Sequence, residues 1–156
     1  MNKLDFEIRK DVINDYTTFS TQIMIDGKNL IDSLKDYELP LAKKEGSKNI
    51  AGAYDGLDPK VLFANLTNSE DNQNSEDDKS DILDCECGSP GCWTFMIKVI
   101  EKQDTVIWTG FEQIHRSKDS ANFWDYSGFK DFEFKRNEYF EKLKELITTH
   151  NNVYSK

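Results

Sequence analysis

Two apolar runs, Trp93 to Ile100 and Thr105 to Phe111, are dense in β-branched and aromatic side chains and lie on either side of the polar Lys102-Gln103-Asp104. So short a polar break between two strand-like runs reads as an antiparallel hairpin, 93–101 against 105–113. Phe95, Ile97 and Val99 alternate with Met96 and Ile100, which puts apolar side chains on both faces of the first strand. A strand that is apolar on both faces needs cover on both, so the hairpin belongs in the middle of a sheet and the rest of the chain must be arranged around it.

The flanking segments supply that cover. Leu4 to Lys10 alternates Leu4, Phe6 and Ile8 with Asp5, Glu7 and Arg9, and Ser20 to Ile25 is a second extended run ending at the Asp26-Gly27 turn. Asn29 can cap a helix with Asp32 at its third position, and Leu30, Ile31, Leu34 and Tyr37 then recur at helical spacing until Pro40, which is expected to stop the helix. Residues 41–60 read as irregular around three glycines and Pro59, followed by a short apolar run from Val61 to Leu66. From Asn137 to about Thr149, Tyr139, Phe140, Leu143, Leu146 and Ile147 form one stripe opposite Lys142, Lys144 and Glu145, an amphipathic helix that packs on the sheet. His150 reads as a solvated residue just past that helix. The expectation is an α+β fold: an antiparallel sheet with the central hairpin, one helix in the N-terminal half and one at the C-terminus.

At 156 residues the chain is one domain long, enough to bury roughly 68–70% of its unfolded surface. Nineteen aromatic residues give large buried area per side chain in a sequence only 37% hydrophobic. The formal net charge is −9, and the stretch Asn68–Asp84, with seven acids against one lysine, carries six of those charges. It holds no apolar residue from Ser69 to Asp81, so 68–81 reads as a disordered acidic loop inside a single domain spanning 1–156. An acidic field repels phosphate backbones and anionic lipid heads, which argues against nucleic-acid and membrane partners. No apolar run approaches the ~18 residues of a membrane span, and charged residues occur within the first ten positions. A cytoplasmic protein is the expectation.

Cys85, Cys87 and Cys92 lie within eight positions in Asp84-Cys85-Glu86-Cys87-Gly88-Ser89-Pro90-Gly91-Cys92-Trp93. Two glycines and a proline between thiols allow the tight turn that points several sulfurs at one place, and an odd count suits thiols or metal ligands better than a secreted disulfide framework. The hairpin that follows returns His115 and Arg116 to the level of Cys92, so Cys85, Cys87, Cys92 and His115 form a candidate Cys3His zinc site. Against it stands the C-x-C-x4-C spacing, which differs from the common C-x2-C knuckle. The same atoms admit buried thiols, a Cys92–His115 dyad or a Cys87–Cys92 thiol–disulfide pair. Arg116, Trp124, Asp125 and Tyr126 are candidate binding residues, since tryptophan, tyrosine and arginine dominate interface anchors; the plainer reading makes the rings core and pairs Arg116 with Asp125 or another acid.

Taken together, the Cys85-x-Cys87-Gly88-x-x-Gly91-Cys92-Trp93 turn, the strand bearing Val106, Trp108, Phe111, His115 and Arg116, the Trp124-Asp125-Tyr126 segment and Phe132, Phe134 and Tyr139 resemble a family of small uncharacterised bacterial proteins. Asp26-Gly27, Leu30-Ile31 and the Ala51–Leu57 stretch extend the resemblance over most of the chain outside the acidic loop. It implies a single domain and carries no activity, cofactor or partner with it.

Two functional classes follow. The first is a non-enzymatic protein-binding domain, by analogy with immunity and inhibitor proteins, acting on a basic partner surface. The alternative is a metal-stabilised or thiol-dependent enzyme using the Cys85–Cys92 turn and His115.

Overall fold

The computed structural model describes residues 1–67, 79–88 and 91–154. The expected hairpin forms from β6 (Phe95–Glu101) and β7 (Thr105–Gln113), and β6 is the middle strand of a five-stranded antiparallel sheet. Its neighbours are β4 (Tyr54–Gly56) and β5 (Ser80–Cys85) on one side, and β7 and β8 (Phe132–Lys135) on the other. A second sheet holds β1 (Leu4–Ile13), β2 (Tyr16–Ile25) and the two-residue β3 (Lys28–Asn29). Among the described residues, three α-helices complete the fold: α1 (Leu30–Lys44), α2 (Pro59–Thr67) and α3 (Arg136–Tyr154). The chain is therefore α+β, with the hairpin where its two-faced apolar pattern requires it.

Local signals explain the element ends. Asn29 caps α1, its side chain accepting from the Ile31 N–H at 2.9 Å. β1 and β2 join through Asn14 and Asp15, both at positive φ (50° and 67°), the turn geometry that matches the twist of a hairpin. The register of β6 against β7 shifts between Met96 and Lys98, where Gly110 takes a φ of 61°, a conformation that suits glycine at a bulge.

The two sheets are clasped at both ends. Thr21 N–H donates to Leu57 O at 2.9 Å, and Asn2 N–H donates to Glu133 O at 2.8 Å, joining β2 to the end of β4 and the N-terminus to β8. A Cβ on Gly56 would stand 2.0 Å from Thr21 O, so only glycine lets these strands approach. α3 packs against α2, β1, β7 and β8 and buries Tyr139, Leu143 and Leu146; the Trp108 indole N–H donates to Tyr139 Oη at 3.2 Å within that core.

Several expectations are corrected. Pro40 does not stop α1, which runs four residues further. Proline inside a helix costs about 3 kcal/mol. Here the ring is exposed while Leu34, Glu38 and Ala42, four residues apart on the opposite face, are buried, and that burial holds the helix together beyond the missing donor. Residues 41–60 are not irregular throughout: they hold the end of α1, a 3-10 turn at Lys48–Ile50, β4 and the start of α2. The signal for α2 was Asp58-Pro59, a cap followed by proline at the first helical position, with Asp58 Oδ1 accepting from Lys60 N–H at 3.0 Å. His150 is not solvated; it lies within α3, fully buried, with Phe19 edge-on to its ring at 5.5 Å. Of the acidic segment 68–81, residues 68–78 lie outside the described residues, and Ser80 and Asp81 open β5 because Ile82 and Leu83 behind them are core side chains.

Candidate metal centre

β5 delivers Cys85 to the rim of the sheet, and the chain then turns before β6 begins. Gly88 (φ 83°) and Gly91 (φ 77°) take left-handed conformations open to glycine at no steric cost, and Gly88 N–H donates to Cys85 O at 3.0 Å to close a tight turn. Ser89 and Pro90 lie outside the described residues. Asp84 braces both sides of the turn: its Oδ1 accepts from Cys85 N–H at 2.9 Å, Gly91 N–H at 3.3 Å and Thr94 Oγ1 at 3.3 Å.

The result is a cluster of sulfurs. The Sγ atoms of Cys85, Cys87 and Cys92 all lie within 4.8 Å of one another. Tetrahedral zinc with bonds of about 2.3 Å needs sulfurs about 3.8 Å apart, so three ligand positions are close to assembled. The Cys87 N–H points at Cys85 Sγ at 3.4 Å, a contact that favours a charged sulfur. Cys85 is buried while Cys87 and Cys92 are exposed. Burial, followed by hydrogen bonding with Cys87, pushes the Cys85 thiol up to about 11, so a cation between the sulfurs is what would make it a thiolate.

His115 is not part of this group. Its Nε2 lies 3.1 Å from Gly91 O, one residue from Cys92, and its ring stacks on Trp93 at 6.2 Å. The returning strand thus brings the imidazole to the turn, as the hairpin geometry implied, but aims this nitrogen at a carbonyl.

Beside the turn lies a second constellation that the sequence only half disclosed. The Arg116 guanidinium grips Glu45 at the end of α1 with two bonds, Nε to Oε1 at 2.9 Å and Nη2 to Oε2 at 3.0 Å. It sits over Trp93 (4.9 Å) and Trp124 (5.5 Å), whose rings meet edge to face. Trp124 donates its indole N–H to Glu45 Oε1 at 2.7 Å. Arg116 does not pair with Asp125. That carboxylate is exposed, accepts from Ser127 N–H at 2.9 Å and is held below the usual range by the Ser127 donors.

Of the candidate binding residues, Trp124 and Tyr126 are therefore core: they are 3% and 6% exposed, too little for a contact platform. Tyr126 instead donates to Glu38 Oε2 at 2.5 Å, Tyr54 donates to the same oxygen at 2.6 Å, and Gly52 N–H donates to Oε1 at 2.9 Å. Glu38 is fully buried, and burial outweighs its three donors to hold its carboxyl above the usual range. The sequence reading did not single out Glu38 or Glu45. The available signal for Glu38 was a carboxylate on the apolar stripe Leu34-Glu38-Ala42.

A groove of about 590 Å³ opens over β7, with Phe111, Phe123 and Phe129 among its walls and Asp119, Asp125 and Asp131 among its polar lining. Phe123 is 46% exposed there. Among the described residues, no helix is long and apolar enough to cross a membrane. Comparison with known proteins adds no relative: no family model, no curated protein and no solved structure matches the chain.

Proposed function

We propose that this chain is a metal-stapled protein-binding domain in which Cys85, Cys87 and Cys92 hold one zinc ion. The observation that carries the reading is the convergence of three sulfurs within 4.8 Å on a turn braced by Asp84. Thiolate sulfur selects soft and borderline cations, and zinc is the redox-inert one that takes such ligands in tetrahedral sites. Its role here is to tie the end of β5 to the start of β6, next to the Arg116–Glu45 contact that fastens α1 to the same corner. An enzymatic reading is less well supported, because His115 Nε2 faces the Gly91 carbonyl and not a thiol.

The partner-binding part rests on charge and shape. A chain of net charge −9 that presents Phe123 in a groove where Glu112, Asp119, Asp125 and Asp131 outnumber Lys79 and Lys118 suits a basic segment with an apolar side chain. Protein expressed with zinc and purified under reducing conditions should carry one equivalent of metal. Chelation should lower the melting temperature, and Cys87→Ser should abolish the bound metal. Metal-free protein that keeps its fold with three titratable thiols would refute the metal reading. A partner whose association slows as salt rises, and is lost with Asp119, Asp125 and Asp131 changed to Asn, supports the second part; salt-independent association would refute it.

A further inference from the structure

We propose that the metal in the cysteine turn keeps one coordination position open, and that this position takes a neutral nitrogen donor, the imidazole of a partner protein, in preference to an anion. The inference rests on the metal reading above and deepens it.

Three observations converge. First, among the described residues the group contains three sulfurs and no fourth histidine, cysteine or carboxylate ligand atom. A zinc held by four protein ligands is closed, whereas one held by three keeps its structural tie and leaves a vertex for water or an incoming group. Second, the imidazole nearest in the chain is tied elsewhere. His115 Nε2 is on Gly91 O and its ring lies on Trp93; Trp93 in turn is covered by Arg116, which Glu45 holds with two bonds. Moving His115 onto the metal would break its bond to the turn and its stacking on a ring already locked between neighbours. Third, burial is one-sided: Cys85 is buried while Cys87, Gly91 and Cys92 are exposed, so an incoming group can reach the sulfurs from the side of Cys87 and Cys92.

Charge then selects the donor. Three thiolates around a divalent cation leave a net charge of −1, Asp84 and Glu86 stand next to Cys85 in the chain, and the protein as a whole carries −9. A carboxylate, azide or further thiolate would bring a second negative charge to a site already surrounded by its own sign. A neutral imidazole brings none. The exchange is balanced without redox chemistry: the metal–water bond breaks, the metal–nitrogen bond forms and the water leaves. Such a histidine on a basic face would be drawn in by the same field that disfavours anions.

The test uses the full chain with its thiols reduced and loaded with cobalt(II), whose sulfur-to-metal charge-transfer band reports thiolate ligation and whose visible bands report the fourth ligand. Imidazole and sodium azide are titrated separately into the wild type and into His115→Ala, with His115→Asn as the variant that keeps a polar side chain if the alanine form does not fold. The expected result is a saturable change in the visible bands with imidazole, azide needing roughly tenfold or more concentration for the same change. The His115 variants should start from the wild-type spectrum. Visible bands unmoved by imidazole would show that the vertex is filled from within. Azide matching imidazole would overturn the charge argument, and an altered starting spectrum in the His115 variants would make His115 the fourth ligand. Those results leave the metal reading standing, whereas absence of any charge-transfer band would remove it together with the proposal.

Discussion

Glu38 offers the sharpest test of the packing, because two opposed effects meet on one carboxylate. It is fully buried and accepts from Tyr54 Oη (2.6 Å), Tyr126 Oη (2.5 Å) and Gly52 N–H (2.9 Å). Truncation by Glu38→Ala leaves three donors facing a cavity. At about 1–3 kcal/mol for each unsatisfied group, less what is regained by no longer burying a carboxylate, the net loss should be on the order of 3–5 kcal/mol. Glu38→Gln keeps one acceptor oxygen and the side-chain volume and should cost about 1–2 kcal/mol. The isosteric variant also reads out the sign of the titration. Burial raises the folded-state value above the ordinary 4.5, so the native protein binds more protons than the unfolded chain as pH climbs from that value. The contribution of Glu38 to stability is fully present below 4.5 and declines as pH rises through the folded-state value. Urea unfolding followed by tryptophan fluorescence at about pH 4 and about pH 7 should therefore show the wild type's advantage over Glu38→Gln shrinking at the higher pH. An advantage that grows with pH would mean that the three donors outweigh burial, and the argument would be wrong.

Leu143→Ala should cost about 2–5 kcal/mol in urea unfolding, since Leu143 is 1% exposed beneath the sheets; a loss below about 0.5 kcal/mol would place it at the surface. Arg116→Ala should lose about 2–4 kcal/mol and shift tryptophan emission to the red, and Arg116→Lys should recover less than half of that, because lysine can neither make the paired contact to Glu45 nor lie flat on Trp93 and Trp124. Full recovery by lysine would reduce the contact to simple charge. Burial lowers the His150 value below 6.5, so the unfolded chain binds the extra proton first: stability is intact above 6.5 and falls as pH drops through the window beneath it. His150→Phe should flatten that part of the stability profile, as measured by thermal melts across the range.

The features legible in the sequence were those written in neighbouring residues. The central hairpin follows from two apolar runs and a short polar break, and Asn29 with Asp32 announced the start of α1. The cysteine turn was legible because glycines lie between its thiols. What escaped depends on partners far away in the chain. Glu38 meets Tyr126 across 88 positions and Glu45 meets Arg116 across 71, and no local pattern marks a carboxylate that will be buried under distant hydroxyls or a guanidinium. Trp124 and Tyr126 could have been a surface platform or core on composition alone; the acceptors that α1 places beneath them make them core. Pro40 is a stop by local stereochemistry alone, and only the buried face of α1, set by distant packing, carries the helix past it.

The β1–β2 pairing extends past the body of the protein: every residue from Arg9 to Thr18 is exposed, and the last rungs pair Asp11 with Thr18, Val12 with Thr17 and Ile13 with Tyr16. These rungs form a bare two-stranded ribbon about 10 Å long. Half of its amides point across the ladder and pair, the alternate ones point outward to solvent, and none has side-chain cover, so even the paired ones should exchange with deuterium through local fraying, while paired amides nearer Ile23, which is fully buried, exchange only with global opening. Protection should climb step by step along the ladder from the Asn14-Asp15 turn. Lengthening the ribbon by one residue on each strand would invert the faces beyond the insertion, whereas two on each would preserve them, which makes this arm a natural place to graft a foreign hairpin without touching the core.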